Sequence, residues 1–276
     1  MKLSVIIITH NNYVLKDGCI EAEILSILNQ TETNFEIIVV DNCSNKTSFN
    51  NLQNFISKLN NSNIKLVKNN VNNISKARNL GANTAISNLL LFMDDDILLP
   101  QKNTFTKLLS HAQNNVYGFS AVRYWTNEGW FGNNKAELMN ALKNNNENFN
   151  IQMDFPNPEI RQKKNDRHLI RTYIGNFGFI KKNALNAVGN WREDFIGYGV
   201  EDDCLAFALF MKYNRPAILK DIHVVHIWHK IANKNYQQLK INSQKYMEIL
   251  NSFGVKYFHV GRVLYEEPNV LDYINN

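Results

Sequence analysis

Four short apolar runs, at residues 3–9, 35–40, 64–68 and 89–93, are β-branched and nearly uninterrupted, with amphipathic stretches between them. A strand that is apolar on both faces has to be covered on both, so such runs read as a parallel sheet sandwiched by helices. Residues 18–29, 49–59 and 75–87 supply those helices. In the second of them Phe49, Leu52, Phe55, Ile56 and Leu59 recur at helical spacing. The fold class expected is α/β: a βαβαβαβ unit built on a Rossmann-like, mostly parallel central sheet, followed by a smaller subdomain. At 276 residues and 44% hydrophobic, the chain can bury a core for one large domain or two closely joined halves.

In a sheet of this kind ligands gather beyond the carboxyl ends of the strands. Three polar clusters stand there: Thr9-His10-Asn11, Asp41-Asn42 and Asp94-Asp95-Asp96. The last follows directly on Leu89-Leu90-Leu91-Phe92-Met93, so a buried strand delivers three carboxylates to the sheet edge, where their repulsion is costly unless a cation is near. Hard oxygen ligands suit Mg²⁺ or Mn²⁺, and such ions usually bring a phosphate with them. Any one of these acids or asparagines is as readily a turn residue. Three clusters at three strand ends point to convergence.

After Pro100 the pattern loosens. Residues 117–125 and 169–180 read as strands, separated by an Asn-rich, charged stretch, 144–168, that reads as an insertion over the active face. Gly197-Tyr198-Gly199-Val200-Glu201-Asp202-Asp203 precedes a helix whose apolar face is Leu205, Ala206, Leu209, Phe210 and Tyr213. Acids in a first helical turn are favoured by the macrodipole whatever their role. The flanking glycines also let backbone and ligand approach closely, so a carboxylate held there can serve as a general base. Further on, His223, His226 and His229 lie three apart. On a straight strand alternation puts His223 and His229 on one face and His226 on the other, and a turn near Trp228 relaxes that limit. With the acids at 94–96 they supply the donors of a mixed Asp/His cation site. Trp125, Trp130 and Phe131 read either as core or as faces for stacking on a sugar ring. Residues 236–250 read as a basic amphipathic helix that covers the core, the other readings being a partner or a membrane surface.

A net charge of +5 suits a small anionic ligand or weak attachment to an acidic membrane surface better than nucleic acid. The three cysteines are widely spaced without a Cys-x-x-Cys pair, which fits neither a zinc site nor a disulfide framework and suits a reducing cytosol. The first apolar run is too short for a signal segment, and no stretch approaches the length of a membrane span. A soluble, cytoplasmic protein is expected, with peripheral attachment at the inner face of the membrane as the variant.

Ser4 to Asn11, Val39-Val40-Asp41-Asn42, Ala77-Arg78-Asn79-Leu80-Gly81, Phe92 to Asp96 and Gly197 to Asp203 resemble, in order, the motifs of family 2 glycosyltransferases with the GT-A fold. The later part resembles the galactosyltransferase-type C-terminal region of that superfamily, where a Gly-Trp-Gly-Gly-Glu-Asp motif is followed by a metal-binding histidine. The resemblance covers about residues 3–230. It implies that Thr9, Asn11 and Asp41 meet base and ribose, that Arg78 lies beside the nucleotide, and that Asp94 and Asp95 belong to the donor site, Asp94 at the ribose or the metal's water shell. It implies Asp96 and His229 as ligands of Mn²⁺ or Mg²⁺, with His226 where animal galactosyltransferases have a further ligand, a methionine. Glu201 would hold an acceptor hydroxyl and Asp202 would be the catalytic base; Tyr198 and Val200 depart from the motif, on the acceptor side.

The activity so implied is inverting, metal-dependent transfer of a sugar from a nucleoside-diphosphate sugar, UDP being favoured, to a glycan or glycolipid in surface polysaccharide synthesis. Residues 1–230 would form the GT-A domain, 1–96 binding nucleotide and 97–230 acceptor, with 231–276 a helical extension packed on it. The alternative is a non-catalytic nucleotide-sugar or glycan-binding module, which would have no need of Asp96, Asp202 and His229 together. A nucleotidyltransferase would want a Gly-rich, basic triphosphate loop after the first strand, and there is none.

Overall fold

The computed structural model describes residues 1–144, 159–160, 175–197, 199–230 and 236–254. Nearly all of the expected insertion at 144–168, the first part of the strand expected at 169–180, Tyr198, and the extension at 231–235 and beyond 254 lie outside the described residues.

Strands β1 (Leu3–Thr9), β2 (Phe35–Asn42), β3 (Ile64–Asn69) and β4 (Leu89–Asp94) form the parallel part of the sheet in the order β3-β2-β1-β4. β1 and β2 are buried along their whole length, as their unbroken apolar runs require. One side is covered by α2 (Ile20–Leu28) and α3 (Lys46–Leu59), which join Val5, Ile7, Val39 and Leu91 in one core, after the single turn α1 (Asn12–Leu15). The other side is covered by α4 (Ile74–Thr84), over Ile6, Ile38, Val40 and Phe92. α3 starts three residues before its expected position because Asn45, extended, accepts the Ser48 N–H at 2.8 Å. Asn73 caps α4 in the same way through the Lys76 N–H at 2.9 Å.

The remaining elements are β5 (Ile97–Leu98), α5 (Thr104–Asn114), β6 (Tyr117–Trp125), α6 (Trp130–Lys143), β7 (Glu159–Ile160), β8 (Phe177–Lys181), α7 (Lys182–Ala187), α8 (Glu201–Tyr213), β9 (Ala217–His226) and α9 (Tyr236–Ser252). One mixed sheet runs through both sequence halves in the order β3-β2-β1-β4-β8-β6-β9-β5, with β7 beside β6. β4 and β5 are separated only by Asp95 and Asp96, yet stand four places apart in that order. The sheet therefore curls back on itself. The pairing of Ile97 with His226, and the Ile227 N–H on the Asp96 carbonyl at 2.9 Å, seat the end of β9 against the acidic turn.

Trp130 opens α6, and Phe131 is buried against Leu98 and Val225, so Phe131 is core. α9 packs on α8 through Tyr246 and Leu250, which join Phe195, Phe207 and Phe210, and the Asn242 side chain donates to the carbonyls of Ile196 and Gly199 at 3.0 and 3.2 Å. Among the described residues no helix is long and apolar enough to cross a membrane.

Candidate metal and donor site

The three acids after β4 have three different surroundings. Asp94 is 36% exposed, with Arg78 Nη2 at 3.8 Å, and burial of the site raises its carboxyl to about 6. Asp95 turns inward: Oδ2 accepts from Thr9 Oγ1 at 2.6 Å, Oδ1 from Lys16 Nζ at 2.6 Å, and its carbonyl from Asn12 Nδ2 at 2.9 Å. Asp96 is 2% exposed; its Oδ2 lies 2.5 Å from Lys16 Nζ and 3.0 Å from His229 Nε2.

The other oxygen of Asp96 carries the chemical signal. Oδ1 is buried and has no hydrogen-bond partner among the described residues, although His226 Nε2 stands 3.3 Å away. His226 Nδ1 lies 3.0 Å from the Ile227 carbonyl, which only accepts, so Nδ1 carries the proton and Nε2 the lone pair. Burial pushes the His226 pKa down to about 4, which keeps the ring neutral. A carboxylate oxygen thus faces an imidazole lone pair, an arrangement that a cation between them relieves. His229 Nδ1 lies 3.2 Å from the Lys230 carbonyl, and the bond to Asp96 raises its pKa. One ligand atom each from Asp96, His226 and His229 lie within 4.8 Å of one another. One carboxylate and two imidazoles, each imidazole oriented from behind by a backbone carbonyl, fit a first-row divalent ion.

Local structure explains why these two histidines meet. β9 ends at His226, and the Trp228 N–H donates to Thr126 Oγ1 at 2.7 Å, turning the chain so that the His229 ring stacks on His226 at 5.6 Å. The Trp125 ring also lies against that of His226, ring centres 3.9 Å apart. His223 lies apart from them, against the Tyr124 ring. The chain thus turns near Trp228, which relaxes the limit that strand alternation sets on the histidines.

At the ends of β1 and β2, Asn11 adopts the left-handed conformation, its side chain accepting the Asn45 N–H and donating to His10 Nε2, at 2.8 and 3.0 Å. Asp41 is fully buried; Oδ2 accepts the Ser44 N–H at 3.2 Å, and Oδ1 has no partner among the described residues. It is an acceptor in want of a donor. Thr9 is already committed to Asp95.

Arg78, buried on α4, gathers the second acidic cluster. Its Nη1 lies 3.0 Å from Asp202 Oδ1 and 3.2 Å from Glu201 Oε1, and its guanidinium sits 4.2 Å over the Trp191 ring. The Gly175 N–H donates to Asp202 Oδ2 at 3.2 Å, and a Cβ at Gly175 would lie 2.5 Å from Arg78 Nη2. Gly199 and Val200 are left-handed and turn the chain into α8, where two of the three acids of its first turn, Glu201 and Asp202, face Arg78. Burial raises the Asp202 carboxyl to about 7 against the opposing pull of Arg78. The structure thus brings Asp94, Arg78, Glu201 and Asp202 into one chain of contacts and Asp96, His226 and His229 into another. Sequence reading missed Lys16 and Asn12, which hold the acidic turn from below, and Trp191 under Arg78; the only local signal was the Asp17-Gly18 turn after β1.

The model of glycosyl transferase family 2 matches residues 4–189. No curated relative matches the sequence. Among solved structures, the chain is similar to the mannosyltransferase PcManGT from Pyrobaculum calidifontis in complex with GDP-Man and Mn²⁺, at 15% identity and a TM-score of 0.57 over 94% of this chain and 65% of that one. It is similar to S. aureus TarS 1–349 in complex with UDP-GlcNAc, at 18% identity and a TM-score of 0.60 over 95% of this chain and 68% of that one. It is also similar to GalNAc-T7 with UDP, GalNAc and Mn²⁺, at 14% identity and a TM-score of 0.65 over all of this chain and 54% of that one. The likeness shows the shared GT-A fold, and the chain spans about half to two-thirds of the length of these proteins.

Proposed function

The chain belongs to glycosyl transferase family 2; we propose that it is an inverting, metal-dependent glycosyltransferase, taking a sugar from a nucleoside diphosphate, UDP by preference, to an acceptor hydroxyl. The observation that carries this reading is the unpartnered Asp96 Oδ1 facing the His226 lone pair at 3.3 Å, with His229 on the other oxygen. Mn²⁺ in the complexes of PcManGT and GalNAc-T7 supports it. The UDP preference is supported by TarS and GalNAc-T7, against GDP-Man in the mannosyltransferase. The glycan or glycolipid acceptor of surface polysaccharide synthesis, and the division into donor-binding 1–96 and acceptor-binding 97–230, rest on the family resemblance.

In this reading Asp96, His226 and His229 would hold the ion, which would supply positive charge to offset that developing on the leaving diphosphate. Asp41 Oδ1 offers its unused acceptor to an N–H of the base. Asp202 takes the proton of the acceptor hydroxyl on a carboxylate oxygen, and the hydroxyl oxygen attacks the anomeric carbon on the face opposite the departing phosphate. A single base and a single displacement give inversion. Arg78 fixes Asp202 through Nη1 and reaches Asp94 through Nη2, so it couples the base to the donor side. Calorimetric titration of UDP tests the reading: affinity should need Mn²⁺ or Mg²⁺ and lose that need in Asp96→Ala. Equal affinity in Mn²⁺ and in EDTA refutes it.

A further inference from the structure

Lys16 occupies the centre of the acidic turn. Its Nζ lies 2.6 Å from Asp95 Oδ1 and 2.5 Å from Asp96 Oδ2, the oxygen that His229 also approaches, and its side chain is only 18% exposed. The backbone that carries it is fixed. The Lys16 and Gly18 N–H groups both donate to the Asn12 carbonyl, at 2.8 and 3.3 Å, the Cys19 N–H donates to the Lys16 carbonyl at 3.0 Å, and Lys135 Nζ holds the Asp17 carbonyl. Asn12 in turn ties this corner to the Asp95 carbonyl. The flexible four-carbon stem of the lysine is therefore the part that can swing.

We propose that Lys16 is a resident counter-cation: it holds Asp96 when no metal is bound, must leave that carboxylate for a divalent ion to bind, and moves onto the diphosphate of the incoming donor. The inference rests on the reading of Asp96, His226 and His229 as the metal site. With Lys16 Nζ on Asp96 Oδ2 and an ion drawn to Oδ1, the ammonium and the divalent ion would stand on the two oxygens of one buried carboxylate and repel strongly. A diphosphate gives the displaced ammonium a new partner, since lysine is a mobile point charge well suited to phosphate. Lys16 is then a positioning residue that makes metal and nucleotide bind cooperatively, because each helps to move it for the other.

The experiment is a pair of titrations on the whole chain. Mn²⁺ alone is titrated by electron paramagnetic resonance, and UDP is titrated by calorimetry at saturating Mn²⁺, for wild type, Lys16→Met and Lys16→Arg. Lys16→Met should bind Mn²⁺ alone about tenfold more tightly than wild type or more, and UDP in the presence of Mn²⁺ about tenfold more weakly. Lys16→Arg, which keeps the charge, should bind Mn²⁺ alone as weakly as wild type. A merely structural lysine would not produce these opposite signs. Equal or weaker binding of Mn²⁺ alone by Lys16→Met overturns the counter-cation, and unchanged UDP affinity overturns its move to the diphosphate. Absence of Mn²⁺ binding in all three proteins overturns the metal site and this inference with it, whereas equal Mn²⁺ binding in all three overturns Lys16 alone.

Discussion

Arg78 Nη1 lies 3.0 Å from Asp202 Oδ1, so one buried cation ties α4, which covers the parallel strands, to the first turn of α8. Arginine suits this place because its planar fork stacks on Trp191 while meeting both Glu201 and Asp202. The same guanidinium reaches toward Asp94 at 3.8 Å. Asp202 is thereby held at a fixed position relative to the acidic turn, which is what the proposed base would require.

Replacing Asp202 with Asn keeps its shape and removes the basic oxygen. General-base catalysis contributes ~10²–10⁴-fold, so turnover should fall by about that factor in a transfer assay while nucleotide and Mn²⁺ affinities hold. Asp203→Asn should be mild. Near-normal transfer by Asp202→Asn would remove the base from this mechanism.

The pKa of Asp202 sets a pH dependence. Burial raises it to about 7, and the proton has to be off for the residue to act as a base, so the acid limb of kcat/KM should rise with pH through about 7. Folding carries a sign of its own. A carboxyl whose folded pKa exceeds its unfolded value of 3.8 contributes most below that value and loses the contribution as pH climbs through about 7. Melting curves should therefore show Asp202→Asn gaining on wild type between pH 5 and pH 8. A pH-independent gap would mean that Asp202 is ionised throughout.

The parallel half and its strand-end residues were legible because a strand apolar on both faces announces its own layer, and a parallel sheet puts Thr9, Asp41 and Asp94 at one edge. The curl was not. It depends on β5, two residues long, pairing with a strand more than a hundred positions away, and neither length nor periodicity marks Ile97 and Leu98 as a strand. Without that pairing the nearness of His226 to Asp96 cannot be inferred from spacing. Alternation alone pairs His223 with His229 and sets His226 apart, whereas the turn at Trp228 brings His229 beside His226 and leaves His223 against Tyr124. Lys16 escaped notice because a lone lysine beside a turn is ordinarily a solvated one.

Gly81 fixes how closely α4 lies on the sheet. A Cβ there would press into the Ile6 side chain and lie 3.2 Å from Val40 Cγ2, both fully buried. Gly81→Ala should therefore cost about 1–3 kcal/mol in denaturant unfolding, the range for overpacking, in spite of the better helix propensity of alanine. Because Arg78 is one turn away on the same helix, Gly81→Ala should also lower turnover more than it lowers UDP affinity. A variant that is stabilised would show that the helix can withdraw without strain.

The three histidines give the sharpest test of the metal site. The resemblance made His229 a ligand and set His226 at the place of a further one; the structure puts His226 Nε2 3.3 Å from the unpartnered Asp96 Oδ1 with its Nδ1 held by the Ile227 carbonyl. His229 Nε2 meets the other oxygen at 3.0 Å. If the ion sits between these donors, His226→Ala and His229→Ala should each weaken Mn²⁺ binding in the presence of UDP. The loss should be at least the roughly 10–100-fold that follows removal of an outer-shell partner of a metal ligand. His223→Ala should bind as wild type does, because that ring packs on Tyr124 and stands outside the cluster. Two comparable losses would make His226 a full ligand, a loss confined to His229→Ala would give it an auxiliary place, and a larger loss from His223→Ala would show that the ion binds elsewhere.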